Sequence, residues 1–137
     1  MKYMILTFGT QQEFDGMAGK PGTTSPWTAE DFAALGKFMN AFNQELEESG
    51  ELVETRGLVN PVHTRRVALK HGVTVVTDGP YAETQEVLAG YWVVDCASFD
   101  RAVEIAGRMS NCPLPAGTSE AYADVRPVAE SQADLDF

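Results

Sequence analysis

Apolar positions first gather without a gap at "YMILTF", residues 3–8, a run that suits a β-strand covered on both faces. They then thin out. "GTQQEFDGMAGKPGTTSPW", residues 9–27, is rich in Gly, Thr and polar residues and has no clear period, so it reads as a long loop: a lid, a binding loop or a disordered segment. Order returns at Thr28. Phe32, Leu35, Met39, Phe42 and Leu46 recur at spacings of three and four, drawing one apolar stripe along a helix over 29–48. Thr28 is the expected N-cap, Asp31 completes a variant capping box, and Gly50 ends the helix.

The second half alternates differently. "ELVETRGL", residues 51–58, reads as a strand of mixed polarity that Pro61 interrupts. "TRRVALK" and "VTVVTD" flank His71-Gly72 and predict a hairpin with a two-residue turn. "VLAGYWVVD", residues 87–95, is a long apolar run and the expected central strand. Ser98 caps a second helix over 99–109, whose inward side carries Phe99, Ala102, Ile105, Ala106 and Met109. "AYADVRPV", residues 121–128, is a last strand at an edge or bulge because of Pro127. Alternation puts Tyr122, Asp124, Arg126 and Val128 on one of its faces and Ala123, Val125 and Pro127 on the other.

The order β-α-β, hairpin, β-α-β predicts an α+β domain: the ferredoxin-like βαββαβ arrangement with an inserted hairpin. Two helices cover one face of a four-stranded sheet. The runs at 3–8 and 87–95 are apolar at nearly every position, so the second face also needs a cover. The simplest cover is a second copy related by two-fold symmetry. Burying apolar area at roughly 25 cal/mol per Å² would make such a pairing favourable by several kcal/mol. A homodimer through the sheet face is therefore expected.

Composition narrows the function. The chain has 137 residues, enough for one domain, read here as 1–128 followed by an acidic, frayed tail over 129–137. Its formal charge of −10 argues against nucleic acid and against anionic membranes, both of which call for clustered Lys and Arg. No apolar run reaches the ~18 residues of a membrane span. The N-terminal apolar stretch is short and lacks a cleavage pattern, so it reads as a strand and not as a signal peptide. Two cysteines, Cys96 and Cys112, make no disulfide framework, and a reduced, cytoplasmic setting is expected.

One turn is over-decorated. "DGPYAETQE", residues 78–86, holds Asp78, Glu83 and Glu86 with Tyr81 and Thr84, and no cation to balance them. Asp78 reads either as the anchor of an Asx-type turn before Gly79-Pro80 or as a general acid–base at the mouth of a cavity. The spacing of the three carboxylates is not that of a calcium loop, and no metal is predicted. There is no phosphate-cradling Gly loop and no zinc spacing, so no cofactor is predicted either. Phe14 and Trp27 could close over a ligand, and Trp27 could equally staple the start of the first helix.

"VTDGPYAETQE" followed by "LAGYWVVD" resembles the YCII-related family, in particular its DGPF subgroup. "MKYMIL", "GLVNP" and "VRPV" fit as well, and the similarity runs from residue 2 to about 128. Tyr81, Gln85 and Ala89 depart from the usual Phe, Lys and Gly of that pattern. The resemblance implies a ferredoxin-like domain that pairs into a dimeric α+β barrel. It supplies a fold more firmly than a reaction, since some relatives are thought to be small-molecule enzymes and one branch is linked to extracytoplasmic-function sigma factors.

The sequence thus predicts a homodimer binding an unidentified small molecule. Asp78 would handle a proton in a cofactor-free elimination or isomerisation. Arg126 would clamp an anionic group, unless it and Asp124 merely pair with each other or with Glu54 and Arg56; Tyr91, unless packed in the core, Tyr81 and Thr84 would line the pocket. The alternative is a non-catalytic ligand sensor or protein partner linked to sigma-factor regulation, which a pocket without a perturbed acid would favour.

Overall fold

The computed structural model of the chain describes residues 1–23, 26–118 and 120–135. Strands β1 (Lys2–Gly9), β2 (Leu52–Gly57), β5 (Val87–Asp95) and β6 (Ala123–Pro127) form one antiparallel sheet in the order β2-β5-β1-β6. Between β2 and β5 in the chain lies a separate hairpin of β3 (Arg65–Lys70) and β4 (Val73–Asp78). Helices α2 (Ala29–Glu48) and α3 (Phe99–Met109) connect the sheet strands. This is the ferredoxin-like α+β arrangement with an inserted hairpin. No helix among the described residues is long and apolar enough to cross a membrane.

The helices begin where their caps dictate. The Thr28 side chain accepts from the Asp31 N–H while the Asp31 carboxylate accepts from the Thr28 N–H, a complete capping box. Ser98 does the same work for α3 by accepting from the Arg101 N–H. In the hairpin, His71 and Gly72 adopt φ of 51° and 78°, the paired positive values of a tight two-residue turn.

The core lies between one sheet face and the two helices. Tyr3 and Ile5 of β1 and Trp92 and Val94 of β5 meet Phe42 and Leu46 of α2 and Ala102, Ile105, Ala106 and Met109 of α3. Ile5, Val94, Ala102 and Ile105 are fully buried, so truncating one of the two isoleucines to Ala would cost about 2–5 kcal/mol. Register explains the partition. Ile5 pairs with both Trp92 and Val125, so all three side chains share the helix-facing side. Two ion pairs brace the layer: Arg101 donates to both carboxylate oxygens of Glu51 at 2.9 and 2.8 Å, and Arg108 pairs with Glu45.

The sequence reading of 9–27 as loop needs correction. Gln11–Met17 forms a short helix, α1, capped by Thr10, whose hydroxyl oxygen accepts from the Glu13 N–H. Gln132–Leu135 makes a 3₁₀ turn, and the Asp134 carboxylate accepts from the Glu130 and Ser131 N–H groups. Those bonds hold the Asp134 carboxyl below its ordinary range.

Met4, Leu6, Tyr91 and Val93 share the opposite sheet face. The adjoining charges on that face, Glu54, Arg56, Asp124 and Arg126, come from the flanking strands β2 and β6. The face is therefore an apolar band between charged margins, not the continuous apolar surface that the two strand runs suggested.

Candidate functional site

A cavity of about 880 Å³ opens on the helix side of the sheet, at the end where β1 runs into α1. That size suits a small organic ligand. Its floor is made by Thr7, Thr55, Gly90 and Trp92 from three neighbouring strands. Leu35, Met39 and Asn43, spaced four apart on one face of α2, form a wall. Phe14 and Met17 of α1 and the Trp27 ring cover it, and Met109, Cys112 and Leu114 close the far side.

Local chemistry puts these groups in place. The Trp27 N–H donates to the Gly16 carbonyl at 3.2 Å, tying the segment before α2 to α1. The Trp27 ring also packs on Phe32 with centroids 5.0 Å apart, so the staple and the cavity cover are one side chain. At the floor, Gly90 permits close strand approach: a Cβ there would lie 3.0 Å from the Arg56 carbonyl oxygen. The Thr7 hydroxyl donates to the Gly90 carbonyl at 3.1 Å and the Thr55 hydroxyl to the Tyr91 carbonyl at 3.0 Å. The Trp92 indole N–H donates to Asn43 Oδ1 at 2.8 Å.

The rim is acidic. Glu13, Glu86 and Glu120 line it and are exposed, with Arg56 as the cation among the described lining residues. Tyr122 stacks on Phe8 at 5.7 Å and donates its hydroxyl to Glu86. That bond to a carboxylate pushes the Tyr122 phenol up to about 12. Cys112 stands at the cavity with its thiol raised by burial, and Cys96 is buried and raised for the same reason; both are free thiols in the chain. A raised thiol is a poor nucleophile at neutral pH.

The residues singled out in the sequence divide between three places. Thr84 lines the cavity. Tyr91 and Arg126 lie on the opposite sheet face. There the Tyr91 hydroxyl donates to Glu54 at 3.0 Å, which raises its pKa, and Arg126 makes no ion pair among the described residues. Asp78 and Tyr81 belong to the hairpin base. The Asp78 side chain is 80% exposed and pairs with Arg65 at 3.3 Å, and the Tyr81 ring lies under the Arg66 guanidinium at 5.5 Å. One chain thus does not bring Asp78 or Arg126 to its cavity.

The loop that carries Asp78 is a junction. The Gly79 N–H donates to the Thr64 carbonyl at 2.7 Å, and the Gln12 N–H of α1 donates to the Glu83 carbonyl at 3.0 Å. With Glu86 holding Tyr122, one short segment fastens the hairpin, α1 and the approach to β6. Its acidity serves those attachments in part and the cavity rim in part. His63 and His71 are both exposed and away from the cavity.

The family model for the YCII-related domain matches residues 1–128. The chain belongs to this family. The YCII-related domain therefore spans every strand of the sheet, both long helices and the whole cavity. The chain is also similar to an uncharacterised protein of Rhizobium meliloti (strain 1021), 37% identical over 108 residues that cover 77% of this chain and 82% of that protein. Within the YCII-related frame, sequence reasoning missed α1, Asn43 and the helix-side cavity. Thr10-x-x-Glu13 is a capping pattern visible in the sequence and could have announced α1. Nothing local marks Asn43, whose partner Trp92 lies 49 residues away.

Proposed function

We propose that this chain is a small-molecule-binding homodimer of the DGPF subgroup, with the ligand held between sheet and helices in each subunit. The observation that carries this reading is the large cavity walled by Trp27, Trp92, Phe14, Leu35 and Met39. Pockets of this size and apolar lining, with few polar groups, are where proteins hold organic ligands. Ligand sensing fits better than acid–base catalysis. The carboxylates at the cavity stand exposed on its rim, and the Tyr122 phenol at about 12 gives up no proton near neutral pH. Asp78 faces Arg65 and solvent instead. The resemblance to a sigma-factor-linked branch supplies the class of protein partner for a sensor.

The second copy covers the face away from the helices. Met4, Leu6, Tyr91 and Val93 form its apolar centre. Its charges balance, since Lys2, Arg56 and Arg126 are matched by Glu54, Asp95 and Asp124, whereas the whole chain carries −10. Two such acidic chains meet most easily on a face that is locally neutral. The hairpin adds Val67, Leu69 and Val76 on one of its faces, each more than half exposed in the single chain and suited to the same partner.

Both tryptophans of the chain, Trp27 and Trp92, line the cavity. A ligand seated there must alter intrinsic fluorescence. A screen of small neutral, cationic and anionic compounds is expected to yield saturable quenching or a spectral shift. If no compound perturbs either tryptophan, the cavity is not the binding site.

A further inference from the structure

The floor of the cavity has a polarity that can be derived. Indole N–H is a donor only, so the Asn43 atom that meets it at 2.8 Å must be the carboxamide oxygen. The Asn43 Nδ2 group then points to the other side. It has no hydrogen-bond partner among the described residues, and it is not sealed in the interior, because no buried side-chain polar atom there lacks a partner. Asn43 is one of the residues that line the cavity. The hydroxyl protons of Thr7 and Thr55 are already given to backbone carbonyls. Asn43 Nδ2, on the α2 wall beside that floor, thus remains a free donor among the described residues.

Around that donor the surfaces are apolar: Met39, Leu35, Trp92 and Phe14. Outside stand the rim carboxylates Glu13, Glu86 and Glu120. Arg56 offsets them little, because its Nη1 donates to the Thr55 carbonyl at 2.9 Å and its Nε lies 3.7 Å from Glu54. Anions meet repulsion on entry. We propose that the ligand is an uncharged, flat, apolar molecule carrying one carbonyl-type acceptor, and that Asn43 Nδ2 donates to that acceptor. This rests on the helix-side cavity being the binding site. It names the ligand class and the residue that selects it. A bound ligand would displace water from this donor, and a donor left unpaired beneath it is costly, so the acceptor is a requirement of tight binding.

The test uses two probes that differ only in the acceptor: the neutral naphthyl ketone prodan and an alkylnaphthalene lacking the ketone. Asn43→Asp keeps an oxygen for Trp92 and replaces the donor by a second acceptor. Prodan is expected to bind the native chain more tightly than the alkylnaphthalene. Asn43→Asp should weaken prodan about tenfold more than it weakens the alkylnaphthalene, the loss of one hydrogen bond beyond the shared effect of the new carboxylate. Met39→Trp, which sets a larger ring into the cavity wall beside Asn43, should weaken both. Equal effects of Asn43→Asp on the two probes would overturn the donor assignment while leaving the cavity intact as a binding site. Failure of both probes to bind, or binding that Met39→Trp does not disturb, would overturn the cavity reading and the assignment with it.

Discussion

Trp92 on the central strand and Asn43 on the long helix meet through one hydrogen bond of 2.8 Å, indole N–H to carboxamide oxygen. The contact joins sheet to helix at the floor of the cavity. Trp92 is only 7% exposed, so its N–H has little access to water once that partner is removed. Asn43→Leu should therefore destabilise the fold by about 1–3 kcal/mol. Asn43→Asp retains the acceptor and should cost less. Urea denaturation of the two variants measures the difference. Equal losses would mean that the indole bond contributes nothing to stability.

Glu51 and Arg101 give a pH-dependent brace. The doubly bonded guanidinium of Arg101 holds the Glu51 carboxyl below its ordinary 4.5. The folded value lies below the unfolded one, so the pair contributes its full stability above about pH 4.5 and loses it as the pH falls through the folded value. Both side chains keep some exposure, 15% and 30%, which trims the contribution through solvent screening. Glu51→Gln should cost about 1 kcal/mol near pH 7 and progressively less below pH 4.5. Denaturant midpoints of both proteins across pH 3–7 check this, and a gap that stays constant would contradict it.

The face bearing Met4, Leu6, Tyr91 and Val93 is expected to be covered in solution by a second copy. Sedimentation at micromolar concentration should give twice the chain mass of 14.9 kDa. Leu6→Lys, which sets a charge at the centre of that face, should weaken association by at least about a hundredfold. A native chain that sediments as a monomer would exclude this pairing.

Asp78 separates the two functional readings. It lies at the hairpin base with Arg65, outside the cavity of its own chain. Asp78→Asn should leave ligand affinity within about twofold of the native value, because an exposed ion pair of this kind is worth little. A loss beyond tenfold would return Asp78 to the centre of the account as a ligand-contacting group.

Much of the fold was legible because its signals are local. Ser98 and the Thr28–Asp31 pair set helix starts within the chain segment they belong to, and alternation along β6 assigned Val125 to the core and Arg126 to the far face. The cavity was not legible in the same way. Periodicity tells which residues share a face, but both faces of this sheet carry apolar residues, and the choice between them depends on how α1 folds back over β1. That helix was hidden because it is a single short stretch, QQEFDGM, too brief to show a period and followed by Gly19, Pro21 and Gly22, so only Thr10 and Glu13 betray its start. Asn43 is polar at the edge of an apolar stripe, which in sequence looks like solvent-facing surface; only its approach to Trp92 gives it a role. Tyr91, Arg126 and Asp78 share no local signal that separates them from the cavity residues, and the fold sets the first two on the far sheet face and Asp78 on the hairpin.

The central claim is that a small molecule occupies the space between α2 and the sheet. Native mass spectrometry of gently purified protein, with Met39→Trp run in parallel, tests it most directly. The native chain should carry a small-molecule adduct, either retained from the cell or added as the neutral naphthyl ketone, and Met39→Trp, which narrows the cavity, should carry less of it while remaining folded. An adduct of equal abundance on both proteins, or none on the native chain at saturating ketone, would contradict it.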